Sequence, residues 1–183
     1  MTDTSVNREF LVAFDAETQQ EAEAELLACC ASRRWAAEVA ARRPYNDLDT
    51  LRRVSDAALA ALDWSDVQEA MAAHPPIGKR PSSKRHSGER AHGEERDATW
   101  SRSEQAAAAT DDRQTADELA AGNAEYEQRF GHVFLICASG LSAGQVLAAL
   151  RERLGNDEEA ERRVVREELR RIVELRLARL VAR

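Results

Sequence analysis

Apolar residues recur along much of this chain at intervals of three and four. Between Asp47 and Leu62 they fall at Leu48, Leu51, Val54, Leu59 and Leu62. Near the end they fall at Val165, Leu169, Ile172, Val173, Leu177 and Leu180. Both spacings put an apolar stripe along one face of a helix. Thr18 to Cys30 opens on a threonine, carries acids in its first turns and ends apolar, which reads as a helix entering the core. Arg34 to Arg42 stays helical until Pro44. Asp63 caps a short helix through Ala73 that Pro75 and Pro76 close. Helices resume at Ser101, and Asp111 or Asp112 starts another that runs towards Phe130, where Gly131 breaks the pattern. Ser142 to Leu154 and Asp157 to Val181 complete the set, parted by Gly155 and Asn156. Val133 to Cys137 (VFLIC) is the one strand-like run, and five residues fit buried helix or extended chain equally well. Arg80 to Asp97 has no apolar period and is dense in charge, serine and glycine, so it reads as a solvated loop. No internal repeat or interdomain linker is evident. The expectation is an all-α chain, with residues 1–183 forming a single compact multi-helix domain.

Composition supports that expectation. Ala, Glu, Arg and Leu dominate, all strong helix formers, whereas aromatics are only 5% of the chain. With 183 residues the chain is long enough to bury a real core. The net charge of −7 repels phosphate backbones, so no nucleic-acid partner is expected. Cys29, Cys30 and Cys137 form no CxxC pair, which points to neither a disulfide framework nor a zinc site, and no metal site is expected. The N-terminus lacks a basic segment followed by an apolar run, and no stretch approaches ~18 apolar residues. The expected compartment is the cytoplasm, without membrane attachment.

Three places carry candidate chemistry. Trp64, Val67, Met71 and His74 share one helix face, and the following prolines push His74 out of the α region, so its imidazole projects from the helix end. A partly desolvated imidazole there can exchange protons near neutral pH. The alternative is a core histidine with a backbone hydrogen bond. Ser101-Arg102-Ser103-Glu104 has the Ser-x-x-Glu form of a capping box, with Ser101 and Glu104 satisfying each other's backbone N–H groups. The functional alternative is a helix N-terminus that receives an anionic or carbonyl-bearing ligand. Arg176 lies four residues from both Ile172 and Leu180, inside the apolar stripe of the last helix. A guanidinium so placed must snorkel outward or meet a buried anion. His86 and His92 show no ligand spacing, and the phosphate-loop, dinucleotide and nucleophile-elbow glycine motifs are absent.

These pieces occur in the order found in the 2-oxo-4-hydroxy-4-carboxy-5-ureidoimidazoline (OHCU) decarboxylase family, which the chain resembles over nearly its whole length. The matching stretches are CCASRRWAAEVAARRPY (Cys29–Tyr45), AHPPIG (Ala73–Gly78), WSRSEQA (Trp100–Ala106), LAAGNAEYEQRFGHVFLICASG (Leu119–Gly140) and ELRRIVELRLARL (Glu168–Leu180). The resemblance implies an all-α homodimer that converts OHCU to (S)-allantoin and carbon dioxide in urate breakdown. It implies His74, Glu104 and Arg176 as catalytic residues. It also implies substrate contacts from Pro75, Ser101, Gln105 and the run His132, Val133, Phe134, Leu135 and Ile136. The chain departs from the family's usual pattern at Pro76 and Leu141, and its loop between His74 and Ser101 is long.

Such a reaction needs no cofactor. The carbon that loses carbon dioxide adjoins a ring C=N bond, which takes up the electron pair, so the substrate carries its own sink. His74 would then handle the proton, Glu104 would fix the ring or the imidazole, and Arg176 would act against ring oxygen or nitrogen where charge accumulates. Two rival readings remain at this point. One is an enzyme acting on another ureido or purine-derived compound, and the other a non-catalytic helical interaction module. Binding of acidic partners by Arg80–Asp97 is disfavoured, because its charges nearly balance.

Overall fold

The computed structural model describes residues 4–77, 99–101, 103–106 and 112–182, with residues 4–6 described by their backbone alone. The stretch expected to be a solvated loop, Arg80 to Asp97, lies outside the described residues. Besides a short helical turn that includes residues 99–101 and 103–104, the described residues form eight helices and no strand: α1 (Thr4–Ala16), α2 (Gln19–Leu27), α3 (Arg33–Ala41), α4 (Leu48–Ala60), α5 (Trp64–Ala72), α6 (Arg113–Phe130), α7 (Ala143–Arg153) and α8 (Glu158–Val181).

The polar residues that open these helices explain their boundaries. Thr18 and Glu21 form a reciprocal capping box on α2, and Ser142 and Gln145 form another on α7. Asp47, Asp112 and Asp157 accept from backbone N–H groups three residues on, at 2.6, 3.0 and 2.7 Å. Asp112, rather than Asp111, therefore starts α6. Gly131 ends it with a left-handed φ of 73°, a conformation that costs glycine little. The expected Thr18–Cys30 helix is shorter than its apolar pattern. It stops at Leu27, and Cys29 and Cys30 turn back with their N–H groups on the Leu26 carbonyl before Ser32 caps α3. Helix α1 precedes the first element expected from the sequence. Only Leu11 and Phe14 of its described side chains are buried, and α1 is held from outside. Arg43 donates to the Phe14 and Glu17 carbonyls at its C-terminus, and Asp15 accepts from Tyr45 N. A guanidinium on the last carbonyls of a helix also opposes the macrodipole.

The core falls into two clusters. The larger joins α1–α5 to the apolar stripe of α8 around Trp35, Leu51, Met71, Leu169 and Leu177. The smaller gathers Leu119, Tyr126, Val146 and Leu150 between α6 and α7. A buried Leu or Met contributes about 1.5–3 kcal/mol, more than the few tenths that separate helix propensities. Burial of these stripes therefore decides the fold. Residues 133–138, containing the VFLIC run, are in neither helix nor ladder and lie between the two clusters. Val133, Leu135 and Cys137 pack on the larger, and Phe134, Ile136 and Ala138 on the smaller. That strict alternation is the period of an extended chain, which resolves the ambiguity of the sequence.

Candidate active site

The site forms where the extended run passes the end of α5, the turn around Ser101 to Gln105 and the body of α8 at Ile172. His74 follows the last turn of α5 and is buried, with its backbone N–H on the Met71 carbonyl. Its ring Nδ1 lies 3.0 Å from the Ala70 carbonyl oxygen. A carbonyl can only accept, so Nδ1 carries a proton and Nε2 is the basic nitrogen of the neutral ring. The backbone bond of the structural alternative is thus present, and it orients the imidazole.

Glu104 comes from a short helical turn that includes residues 99–101 and 103–104. Thr99 and Trp100 are already helical, so Ser101 does not stand at the helix boundary, and the capping-box alternative is overturned. The two side chains turn to α8 instead. Arg176 forks onto Glu104, with Nε to Oε1 at 3.1 Å and Nη2 to Oε2 at 3.0 Å. Its Nη2 also donates to Ser101 Oγ at 2.8 Å and its Nη1 to the Ala28 carbonyl at 3.3 Å. Arg179, one turn on, donates to Glu104 Oε1 at 2.9 Å. Arg176 is fully buried, so of the two options for a guanidinium in an apolar stripe it takes the buried anion. The paired geometry is that of strong charge-assisted bonding.

His74, Pro75, Ser101, Glu104 and Gln105 line a cavity of about 20 Å³. Phe134, Leu135, Ile136 and Ala138 line it from the extended run, with Ile77 and Ile172 completing the lining. Gln105 Nε2 donates to the Pro75 carbonyl at 3.2 Å, linking two of the lining segments. Three of the residues implicated by the resemblance are not part of this lining. Arg176 lies behind Glu104 and Ser101. His132 packs edge-on against Trp64 and Tyr126, with ring centroids 5.4 and 5.5 Å apart. Val133 packs on the larger core cluster. For His132 and Val133 the reason is position along the run, which meets the cavity from Phe134 onward.

The sequence also hid several participants. Ile77, Ala138 and Ile172 carry no chemical signature, and Arg179 reads as an ordinary surface cation. Less visible still is a buried network in which Arg153, closing α7, donates to Glu161 Oε1 from Nε at 2.8 Å and Nη2 at 2.5 Å. Tyr126 donates its hydroxyl to the same oxygen, and Asn156 Nδ2 donates to Oε2 at 2.8 Å. Burial pushes the Glu161 carboxyl up, but the hydrogen bonds from Arg153, Tyr126 and Asn156 outweigh it and hold the group below its ordinary 4.5. A depressed folded value means stability that is present above pH 4.5 and lost as pH falls through the folded value. Glu161→Gln should accordingly flatten the acid limb of a plot of Tm against pH. An acid limb identical to wild type would show that Glu161 is not its source.

A protein-family model described as OHCU decarboxylase matches residues 15–178. The chain is 34% identical over 159 residues to the uric acid degradation bifunctional protein TTL of Arabidopsis thaliana, covering 86% of this chain and 47% of that protein. It thus spans about half the length of that relative. It is 30% identical over 147 residues to a 2-oxo-4-hydroxy-4-carboxy-5-ureidoimidazoline decarboxylase of Haloferax volcanii, covering 79% of each. Among solved structures, an OHCU decarboxylase crystallised in the presence of (S)-allantoin superposes with a TM-score of 0.71 at 28% identity, over 87% of this chain and 99% of that one. An (S)-allantoin synthase shares the fold, with a TM-score of 0.66 at 15% identity, over 93% of this chain and 53% of that one.

Proposed function

The chain belongs to the OHCU decarboxylase family, and on that premise we propose that it removes carbon dioxide from OHCU to leave (S)-allantoin, as a carboxy-lyase of urate breakdown. The observation that carries the proposal is that His74 and Glu104 line the same small cavity, with Arg176 buried and paired with the carboxylate.

In this reading the C–C bond to the carboxylate breaks, carbon dioxide leaves, and the electron pair flows into the adjoining C=N bond, whose nitrogen takes up a proton from water. His74 Nε2 takes the hydroxyl proton and then delivers one to a single face of the ureido-bearing carbon. Its Nδ1 bond to Ala70 holds the ring for both transfers. Glu104, fixed by two guanidinium groups, accepts hydrogen bonds from the substrate's ring or ureido N–H groups. Arg176 contributes through Glu104 and Ser101, which it orients. Phe134, Leu135 and Ile136 supply the water-excluding wall. The cavity as it stands holds on the order of one water molecule, so substrate entry must widen it. The Gln105–Pro75 bond is the contact that we expect to yield.

The finer expectations belong to the same proposal. A single domain is supported by the way residues 133–138 feed both core clusters. No described helix is long and apolar enough to cross a membrane, and none of the three cysteines is in a disulfide, which suits a reducing compartment such as the cytoplasm. The homodimer is carried by the resemblance to the family. The test of function is to generate OHCU in situ from urate and follow optical activity. The protein should speed the appearance of dextrorotatory allantoin over the slow racemic background. A rate and an optical yield equal to the background would defeat the proposal.

A further inference from the structure

The wall of the cavity is an extended chain without a partner strand among the described residues, so its backbone polar groups need other partners. Two of them find charged side chains from different helices. The Leu135 carbonyl accepts from Arg153 Nη1 at 2.7 Å, and Cys137 N donates to Glu168 Oε2 at 2.8 Å. In an extended chain the C=O of one residue and the N–H two residues on point to the same edge. Arg153 and Glu168 therefore occupy the positions that a neighbouring strand would fill with its own N–H and C=O groups.

Both anchors are themselves held by further partners. Arg153 is fixed by Glu161 and lies with its guanidinium carbon 4.5 Å from the centroid of the Phe134 ring, so it holds the wall through two consecutive residues. Glu168 is buried on α8, with its other oxygen 3.0 Å from Arg171 Nη1. Neither residue lines the cavity. A buried ion pair such as Arg153–Glu161 seldom adds net stability over apolar residues of like volume, so stability alone does not account for it. We propose that Arg153 and Glu168 are positioning residues that set the register of the Phe134–Ala138 wall against His74 and Glu104, an ionic substitute for the missing strand.

The inference rests on the decarboxylase reading, and wild type assayed in parallel separates the two. A wild type that leaves OHCU decay unchanged defeats that reading. A functional wild type makes the variants decisive. Glu168→Leu loses the backbone bond, whereas Glu168→Gln keeps an oxygen to accept it. A displaced wall should lower kcat of the Leu variant by about tenfold to a hundredfold, with KM less affected. The Gln variant should stay within about threefold of wild type, because its wall is not displaced. Wild-type kcat in a folded Glu168→Leu protein overturns the proposal. So does a Gln variant as impaired as the Leu one, since charge rather than the backbone bond would then be responsible. Should Glu168→Leu fail to fold, Arg153→Lys is decisive. It keeps a charge opposite Glu161 without the fork that also reaches Leu135, and unchanged kcat there overturns the proposal equally.

Discussion

Replacing His74 by Asn is expected to lower turnover of OHCU by about 10²–10⁴-fold, the usual contribution of a positioned proton carrier. The size follows from what else lines the cavity. His74 and Glu104 are the titratable side chains among the lining residues. Both Glu104 oxygens already accept from guanidinium N–H groups, a role for a hydrogen-bond acceptor rather than a proton donor. The imidazole is left to carry the proton. Asn is the informative substitute because its amide can still donate to the Ala70 carbonyl, so the turn into Pro75 keeps its support. The variant should melt close to wild type and retain its far-UV circular dichroism. A folded His74→Asn protein that yields optically pure allantoin at the wild-type rate would remove His74 from the mechanism.

Much of this arrangement is legible in the sequence because local rules and burial agree. The α8 stripe marks a buried face, and Arg176 within it must either snorkel outward or meet an anion. The sequence does not say which anion, since Glu104 is 72 residues away and reaches it from a short turn. The same limit explains the misreading of Ser101. Ser-x-x-Glu is a sound capping signal, but a buried guanidinium competes for both side chains and offers the carboxylate a full positive charge and two bonds in place of one backbone N–H. The VFLIC run is ambiguous in the sequence because its period can be read only when both neighbouring cores are known. Helix α1 escapes notice for a related reason. Its apolar edge is short, and it is fixed by Arg43 and Tyr45 from beyond α3. Arg153 and Glu161 straddle the Gly155-Asn156 break, so no helical periodicity connects them. What the sequence hides is pairing over long separations, and the wall and its anchors are built from such pairings.

The largest effect on stability is expected from Arg176→Met. Removing one member of a buried pair leaves the other as an uncompensated charge, typically at a cost of about 3–5 kcal/mol. Here Glu104 keeps Arg179, whose side chain is 31% exposed and screened by solvent. The loss should therefore fall near the lower end of that range, and thermal unfolding would report it as a fall in Tm. Turnover should fall as well, because Glu104 and Ser101 lose the group that orients them. Arg176→Lys separates charge from geometry. An ammonium retains the ion pair but cannot fork onto both Glu104 oxygens while holding Ser101 and Ala28, so it should recover more stability than activity. The double variant Arg176→Met/Glu104→Leu supplies the sharper control. With both charges gone, the penalty of an unpaired carboxylate disappears, and the double variant should be less destabilised than the sum of the single changes. Strict additivity, or an Arg176→Met protein that melts with wild type, would mean that the buried fork is not what secures Glu104 at the cavity.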